Sequence, residues 1–231
     1  MDSAFLAALS QIIVINLVLS GDNAVVIAMA CRNLSPKAQK QGVIWGTVGA
    51  VIFRIALTFI AAWLLQFAYL QIIGGLLLLY IAVHLLTEEK EEQVDAGDDL
   101  VSAIKTILFA DVIMSLDNVL GIAAVAKGDF LLLLIGLAIS VPIVVFGSTL
   151  ILKIMDRFPV IIYIGAGILG YVAGEMLVGD KAVAEFMHQY GFLHKALPVG
   201  LAVLVVAFGY YMKKRGQKKE DAEQGHPSLT E

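Results

Sequence analysis

The sequence predicts an all-α polytopic membrane protein with seven transmembrane helices, built from two inverted three-helix repeats and one extra C-terminal helix. Composition supports this first, because 59% of the 231 residues are hydrophobic and 16% are charged, whereas soluble domains carry about 25% charged residues. Long apolar runs and a duplicated polar motif are the other two observations. The single cysteine excludes an internal disulfide and a thiolate metal cluster.

Seven apolar runs follow one another, each with the length and low charge of a bilayer-spanning helix. They cover residues 5–31, 43–65, 69–87, 101–126, 130–152, 159–179 and 196–212. The stretch from 43 to 87 is too long for one helix, so we expect it to fold back between Trp63 and Gln71. The first run is longer than the apolar core of a signal peptide, and we expect it to be retained.

These runs predict a single transmembrane domain over residues 1–212, flanked by polar segments. Its expected parts are repeat one at about 5–87, repeat two at about 101–179 and the extra span at about 196–212. An acidic linker at 88–100 joins the repeats, and a polar tail at 213–231 is expected to be disordered.

Basic residues predict the orientation of the chain. With seven spans, twelve Lys and Arg residues fall on the side of the C-terminal tail and three on the other side, while Arg54 lies inside a span. Lys and Arg are enriched in cytoplasmic loops of membrane proteins. We therefore expect a cytoplasmic C-terminus, a cytoplasmic acidic linker and an external N-terminus.

A polar motif occurs twice at what should be membrane depth. LSGDNAVVIAMA at 19–30 matches MSLDNVLGIAAV at 114–125, with a constant offset of 95 residues between Asp22 and Asp117. A weaker match pairs IIGGLLLLYIAVH, ending at His84, with YIGAGILGYVAGE, ending at Glu175. Each half has three spans. Because three is odd, the second half enters the membrane from the side opposite to the first and is inverted relative to it, as in many transporters.

Each motif helix carries oxygen-bearing side chains at the spacing i, i+4, i+7, which places them on one helix face. These stripes are Asn16, Ser20 and Asn23 in the first repeat and Asp111, Ser115 and Asn118 in the second. Asp22 and Asp117 lie about 100° from the neighbouring Asn on an ideal helix. They would reach the same cavity only where the helix unwinds, which Gly21 permits in the first repeat.

Charge balance within the spans indicates a cation site. The spans hold four acids and one arginine, namely Asp22, Asp111, Asp117, Glu175 and Arg54. A carboxylate at the bilayer centre costs a few kcal/mol or more unless it is paired or neutralised. Either some acids are protonated or a bound cation supplies the missing charge.

Carboxylates, amides and hydroxyls favour hard ions such as Mn²⁺, Ca²⁺ or Mg²⁺. The expected metal ligands are Asp22, Asn23, Asp111, Asp117 and Asn118. The secondary candidates are Asn16, Ser20, Ser115 and Glu175. Arg54 is the expected counter-ion. Asn and Ser in membrane helices also join helices by hydrogen bonds, so a structural role is the alternative for Ser20 and Ser115. His84 is expected near the interface, with a proton-relay role as the alternative.

The motifs resemble the TerC family of integral membrane proteins, in particular its short, seven-span YjbE-like branch within the LysE-type transporter superfamily. The residues that carry the resemblance are LSGDNAVVIAMA with the following RNLSPK, IIGGLLLL, and ADVIMSLDNVLGIAAVA. The resemblance covers about residues 5–212 and implies manganese export across the bacterial cytoplasmic membrane. It assigns the metal-binding acids to Asp22 and Asp117, with Asn23, Asn118 and Asp111 beside them.

One position departs from the family pattern. The family commonly has an acid at the place of Asn16, whereas the equivalent Asp111 in the second repeat keeps it. An amide still offers an oxygen but removes one negative charge from the expected site. Weaker metal affinity or coupling would follow.

The leading hypothesis is a Mn²⁺ exporter that works by alternating access, with exchange for protons allowed by its carboxylates. Its partners would be the lipid bilayer and a divalent metal ion, with no nucleic acid and no enzymatic activity. The first alternative is a membrane scaffold that supplies metal to exported proteins, and a homo-oligomer or exported-protein partner stays open. An intramembrane aspartyl protease is disfavoured, because Leu19 and Leu116 replace glycines of the Gly-x-Gly-Asp motif.

Overall fold

The computed structural model describes residue 10 and residues 21–64, 67–88, 96–126 and 130–224. These residues form α-helices joined by short connections. The helices are α1 (Gly21–Cys31), α2 (Pro36–Leu64), α3 (Leu70–Thr87), α4 (Ala96–Ala126), α5 (Phe130–Arg157), α6 (Val160–Gly179), α7 (Ala184–Gln189) and α8 (Gly191–Gln224). Within the described ranges, the prediction of an all-helical fold is confirmed.

Five of the described helices contain segments long and apolar enough to cross a membrane. The segments are Pro36–Ile60, Leu70–Thr87, Leu134–Arg157, Val160–Gly179 and Gly191–Arg215. The chain is therefore an integral, multi-pass membrane protein. Helix α1 is a shorter apolar helix, and the rest of the first predicted span, 5–20, lies outside the described residues apart from Ser10.

Helices α3 and α6 agree closely with the predicted spans 69–87 and 159–179, whereas α2 and α5 extend beyond theirs. Helix α2 begins at Pro36 rather than at residue 43, because proline suits the first helical position and Ser35 supplies an N-cap. The Oγ of Ser35 accepts the N–H of Ala38 at 3.5 Å. Apolar runs mark the part of a helix within the bilayer, and the helix itself continues into the polar flanks.

The polar segments contain more helix than their composition predicted. Helix α8 continues to Gln224 although disorder was expected from residue 213, and α4 begins at Ala96, inside the expected linker. Lys, Glu, Gln and Ala are good helix formers, so a helix that leaves the bilayer can extend through them. Residues 89–95 and 225–231 lie outside the described ranges.

The expected fold-back between α2 and α3 is present, and Asp180 holds it. Helix α2 ends at Leu64 and α3 begins at Leu70, with Tyr69 in the left-handed region at φ 70°. The carboxylate of Asp180 accepts the N–H groups of Tyr69, Gln71 and Ile72 at 3.0, 3.0 and 3.3 Å. This side chain thereby satisfies donors that the start of a helix leaves open.

Glycines allow α6 to pack closely against its neighbours, as expected for membrane helices. A Cβ on Gly75 of α3 would lie 2.8 Å from the carbonyl oxygen of Ala173 on α6. A Cβ on Gly174 would lie 2.4 Å from Cα of Pro198 on α8. Helix α6 is thus held between α3 and α8, and α8 also contacts α3.

The bundle has two ends with different polar contacts. Helices α1, α3 and α5 end at one of them, and α8 passes it at Lys213; we call it the basic face, and it carries Arg32, Glu88, Arg157 and Lys213. There the guanidinium of Arg32 donates to the carbonyl oxygens of Leu85 and Glu88 and ties the end of α1 to the end of α3. The opposite face carries Asp180 and the start of α3.

Candidate metal site

A buried ion pair joins α2 to α4 about midway along both helices. Nη2 of Arg54 donates to Oδ1 of Asp111 at 2.5 Å. Nε of Arg54 donates to Oγ of Ser115 at 3.0 Å, and this hydroxyl donates to Oδ2 of Asp111 at 3.2 Å. These three side chains, which we call the Arg54 network, form a closed ring that gives both carboxylate oxygens a partner.

Burial makes the members of this network dependent on one another. Arg54 and Asp111 are 4% and 5% exposed, and Ser115 is fully buried. Removing one partner of a buried ion pair costs about 3–5 kcal/mol, because the other charge is left uncompensated. The guanidinium of Arg54 therefore compensates the charge of Asp111 in this buried ion pair.

Two glycines bring α2 close enough to α4 for this contact. A Cβ on Gly46 would lie 2.7 Å from Cδ1 of Ile107, and one on Gly49 would lie 2.7 Å from Cδ2 of Leu108. Both glycines lie within about two helical turns of Arg54. The small residues expected at close helix approaches thus stand beside the ion pair.

A small cavity borders the Arg54 network on the side of α1. Its volume is about 10 Å³, and it is lined by Asn23, Val26 and Ile27 of α1 and by Ile107 and Asp111 of α4. Asn23 is 5% exposed. This space holds on the order of one water-sized body. The two motif helices therefore contribute an asparagine and an aspartate to the lining of one small cavity.

Asp22 adds a second carboxylate near the network. It is partly exposed, and its Oδ1 accepts the N–H of Asn23 at 2.8 Å. It interacts electrostatically with Arg54 and with Asp111. Asp111 forms the ion pair with the guanidinium, and Asp22 adds a second negative charge in its electrostatic range.

The backbone is helical in the described part of both motifs, from Gly21 onward in the first copy and throughout the second, while residues 11–20 lie outside the described ranges. Helix α1 is α-helical from Gly21, and α4 continues without a break to Ala126. A continuous helix keeps its backbone groups bonded at bilayer depth, where an open group is costly. Within the described residues, Asn23 and Asp111 line the same cavity from helical segments.

The other expected ligands lie away from the small cavity, have undescribed side chains or lie outside the described residues. Asp117 and Asn118 lie on α4 beyond Ser115, and only their backbone is described; Asn16 and Ser20 lie outside the described residues. Glu175 is exposed on α6 and interacts with Tyr171, one turn before it, rather than with the Arg54 network. Among the described side chains, no three Asp, Glu, His or Cys groups converge as metal ligands.

His84 lies near the basic face, as the sequence predicted. Its side chain is exposed on the last turn of α3 and stacks parallel to Tyr80, with ring centroids 6.0 Å apart. Aromatic side chains are common at the membrane interface. The structure thus places His84 near the end of α3, in contact with Tyr80.

Asp180 is the polar residue that sequence reasoning missed. Asp180 lies between the predicted spans 159–179 and 196–212 and is not among the expected site residues, but its side chain is 1% exposed and accepts four backbone N–H groups, including that of Ala182 at 2.7 Å. Burial favours a raised pKa for Asp180, but these donors outweigh it and hold the pKa below its ordinary 3.8. An Asp directly after an apolar helix is a turn signal that could have indicated the residue.

The family model described as "Integral membrane protein TerC family" matches residues 1–217 of the chain. The match includes both copies of the motif and every helix that lines the candidate site. It also covers most of α8. The similarity therefore extends to the whole membrane domain rather than to a single motif.

Individual relatives are bacterial membrane proteins. "Uncharacterized membrane protein YjbE" of Bacillus subtilis (strain 168) is 44% identical over 215 residues, which cover 92% of this chain and 99% of the relative. "Uncharacterized membrane protein YceF" of the same organism is 26% identical over 223 residues, with 92% and 84% covered. "UPF0053 inner membrane protein YgdQ" of Escherichia coli (strain K12) is 24% identical over 219 residues, with 85% and 89% covered. No solved structure is a significant match.

Proposed function

Because the chain belongs to the TerC family of integral membrane proteins, we propose that it exports a divalent metal ion, with Mn²⁺ as the first candidate, from the bacterial cytoplasm. The observation that carries this proposal is the cavity between α1 and α4, where Asn23 and Asp111 meet beside a buried guanidinium. It joins one residue from each copy of the motif. Asp22, Asp117 and Asn118 are the further ligands of the proposed site.

The donor atoms suit a hard cation. Carboxylate and carboxamide oxygens bind Mn²⁺, Mg²⁺ and Ca²⁺, whereas Zn²⁺ and Cu⁺ favour nitrogen and sulfur ligands. The chain's one cysteine, Cys31, is buried on α1 away from the cavity lining. Manganese is preferred over the other hard cations on the strength of the family resemblance.

Arg54 acts in this proposal as a tethered cation that neutralises Asp111 when no metal is bound. Its Nη2 lies 2.5 Å from Oδ1 of Asp111, the atom that a metal ion would also use. The cavity of about 10 Å³ has room for a dehydrated ion only. Metal entry therefore requires the guanidinium to leave that oxygen, and its return would help to expel the ion.

Helix packing supports the inverted repeat that alternating access requires. The proposed halves are α1–α3 and α4–α6. The contact of α1 with α5 corresponds to the contact of α4 with α2. Likewise, the contact of α1 with α6 corresponds to that of α4 with α3. The third helices of the two halves, α3 and α6, pack on each other. Exchanging the halves converts each of these pairs into its counterpart. Helix α1 ends and α4 begins at the basic face, so the motif helices run in opposite directions.

Protons are the proposed exchange partner. Mn²⁺ binding requires ionised carboxylates, so protons and metal compete for Asp22, Asp111 and Asp117. Protonated acids also cost less at bilayer depth than ionised ones. If each carboxylate always carries either a proton or a metal ion, the site can switch its access from one side of the membrane to the other without an unpaired charge.

Transport by the purified protein in liposomes tests the proposal. Mn²⁺ uptake is followed with a trapped fluorescent chelator, and Asp111→Asn should lower the initial rate by about 10–100-fold, the usual cost of disturbing a metal site. Asp99→Asn is the matched control, since Asp99 lies on the same helix near its start. A wild-type rate for Asp111→Asn would refute the site. Metal binding without any transport by the wild-type protein would support a scaffold that supplies metal to exported proteins.

A further inference from the structure

A large cavity opens at the basic face, apart from the candidate metal site. Its volume is about 430 Å³, and it lies among the ends of α1, α3 and α5, the start of α6, and α8 at Lys213. Small-molecule sites typically measure about 300–1,000 Å³. Its residues do not overlap with those lining the cavity between Asn23 and Asp111. The cavity is large enough for a ligand with several polar groups.

The charged residues that line this cavity are two bases and two acids. They are Arg32, Lys213, Glu88 and Asp156. Arg32 is held in place because its guanidinium donates to the carbonyl oxygens of Leu85 and Glu88. These described contacts use two of the five N–H donors that a guanidinium carries. Arg32 can therefore bind a further acceptor without leaving the end of α3.

Two acids beside two bases select against simple ions. A divalent cation would be repelled by the positive charges of Arg32 and Lys213. A simple anion would be repelled by the negative charges of Glu88 and Asp156. A ligand that carries one group of each sign has a partner for both. The cavity lining thus fits a zwitterion.

The remaining lining and the position point to a lipid. Leu86, Met155 and Ile162 give the same cavity an apolar wall. Tyr163 also lines it and packs against Tyr210 of α8, with ring centroids 6.3 Å apart. Tyrosine is enriched at the headgroup level of membranes, and basic pockets between membrane helices bind lipid headgroups. A membrane phospholipid has both an apolar body and a charged head at this depth.

We propose that this cavity binds the phosphoethanolamine headgroup of a membrane phospholipid, with its phosphate at Arg32 and Lys213 and its ammonium at Glu88 and Asp156. The ammonium carries three N–H donors, whereas the quaternary ammonium of phosphatidylcholine has none. An anionic phospholipid has the phosphate group but no ammonium group for Glu88 and Asp156. The site prefers phosphatidylethanolamine to both. A lipid held here links the ends of α1 and α3 to α8.

Competition between lipids on the full-length protein tests this assignment. The delipidated protein is incubated with phosphatidylethanolamine, phosphatidylglycerol or phosphatidylcholine, and retained lipid is counted by native mass spectrometry. Lys213→Ala should weaken phosphatidylethanolamine binding by about tenfold, as expected for the loss of one charge-assisted contact. Asp156→Asn should remove the preference over phosphatidylglycerol. Lys214→Ala, an exposed neighbour outside the cavity lining, should behave as wild type.

The preference is a ratio measured within each variant, so partial misfolding does not disguise it. Equal retention of the three lipids by the wild-type protein would overturn the proposal, and so would an unchanged preference in Asp156→Asn. Soluble phosphoethanolamine provides a second arm. Binding of this headgroup alone, with no retained lipid, would overturn the assignment to a membrane lipid.

Discussion

At the scale of single residues, Arg54 determines how the candidate site can exist without metal. Arg54 is 4% exposed, and its guanidinium balances the charge of Asp111, which is 5% exposed. Ser115 links the two by hydrogen bonds on both sides. Because a buried carboxylate without a partner is costly at bilayer depth, this arginine stabilises Asp111, and in the proposed transport cycle it would give way to a bound ion.

Arg54→Gln should therefore destabilise the fold by about 3–5 kcal/mol, because it leaves the charge of Asp111 buried without a counter-ion. Chemical unfolding of the purified protein in detergent measures the change. Adding Asp111→Asn to Arg54→Gln should recover much of the loss, since the remaining charge is then removed as well. Strictly additive losses in the double variant would show that the two side chains are not energetically coupled.

Asp180 gives a second prediction at this scale, with a defined pH dependence. Its pKa lies below 3.8, because four backbone N–H donors favour the ionised form over the effect of burial. Its contribution to stability is complete above pH 3.8 and is lost as the pH falls through the lowered pKa.

Asp180→Ala should cost about 1–3 kcal/mol near pH 7, the penalty for unsatisfied buried donors. The difference from wild type should shrink below pH 3.8, as measured by thermal unfolding across pH. The exposed acid Asp156 provides the control, and Asp156→Asn should have little effect at either pH. A difference for Asp180→Ala that stays constant down to pH 2 would contradict the role of the carboxylate.

At the scale of helices, apolar runs identified the spanning elements, and the described ranges bear them out in α3 and α6 almost to the residue. The duplicated motif also led to the two helices that line the small cavity. Helix ends were harder to predict, since α2 and α8 continue into polar sequence where hydropathy no longer reports on structure. The position of Asp180 after an apolar helix is a turn signal, but its role in the fold-back was not predictable, because three of its four partners are backbone groups more than a hundred residues away.

Close helix packing gives a prediction at this scale. Gly75→Ala should destabilise the protein by about 1–3 kcal/mol, the typical cost of overpacking, because the new Cβ would press on the carbonyl oxygen of Ala173. Gly200→Ala on α8 is the matched control, since nothing lies within 4 Å of its Cβ position. Thermal unfolding of both variants in detergent provides the comparison. Equal stability of the two variants would mean that α3 and α6 can separate at little cost.

At the scale of the whole molecule, the two ends of the bundle differ in how the halves meet. On the opposite face, Asp180 joins the end of α6 directly to the start of α3. On the basic face, the equivalent corner between the end of α3 and the start of α6 contains the cavity of about 430 Å³. Among the described residues, the corner between α3 and α6 is therefore bridged by a side chain at the opposite face and contains a cavity at the basic face.

Labelling of single cysteines tests the orientation that the Lys and Arg distribution predicts. Cys31 is buried, and Cys31→Ala provides a background for adding cysteines at two exposed sites. A membrane-impermeant maleimide should label Gln189→Cys in intact cells, because α7 lies at the face opposite to the basic one. Lys214→Cys should react only after the cells are permeabilised. Labelling of Lys214→Cys in intact cells, with Gln189→Cys labelled only after permeabilisation, would show the opposite orientation and so contradict the proposed direction of transport.

The central claim is that a metal ion binds between the two motif helices, and anomalous scattering from manganese in crystals of the protein tests it most directly. The predicted peak lies between α1 and α4, within about 2.0–2.6 Å of oxygens from Asp111 and Asn23, the range for hard cations. Arg54 should then have moved away from Oδ1 of Asp111. A manganese peak confined to the acidic residues of the basic face, with the Arg54 network intact, would contradict the account.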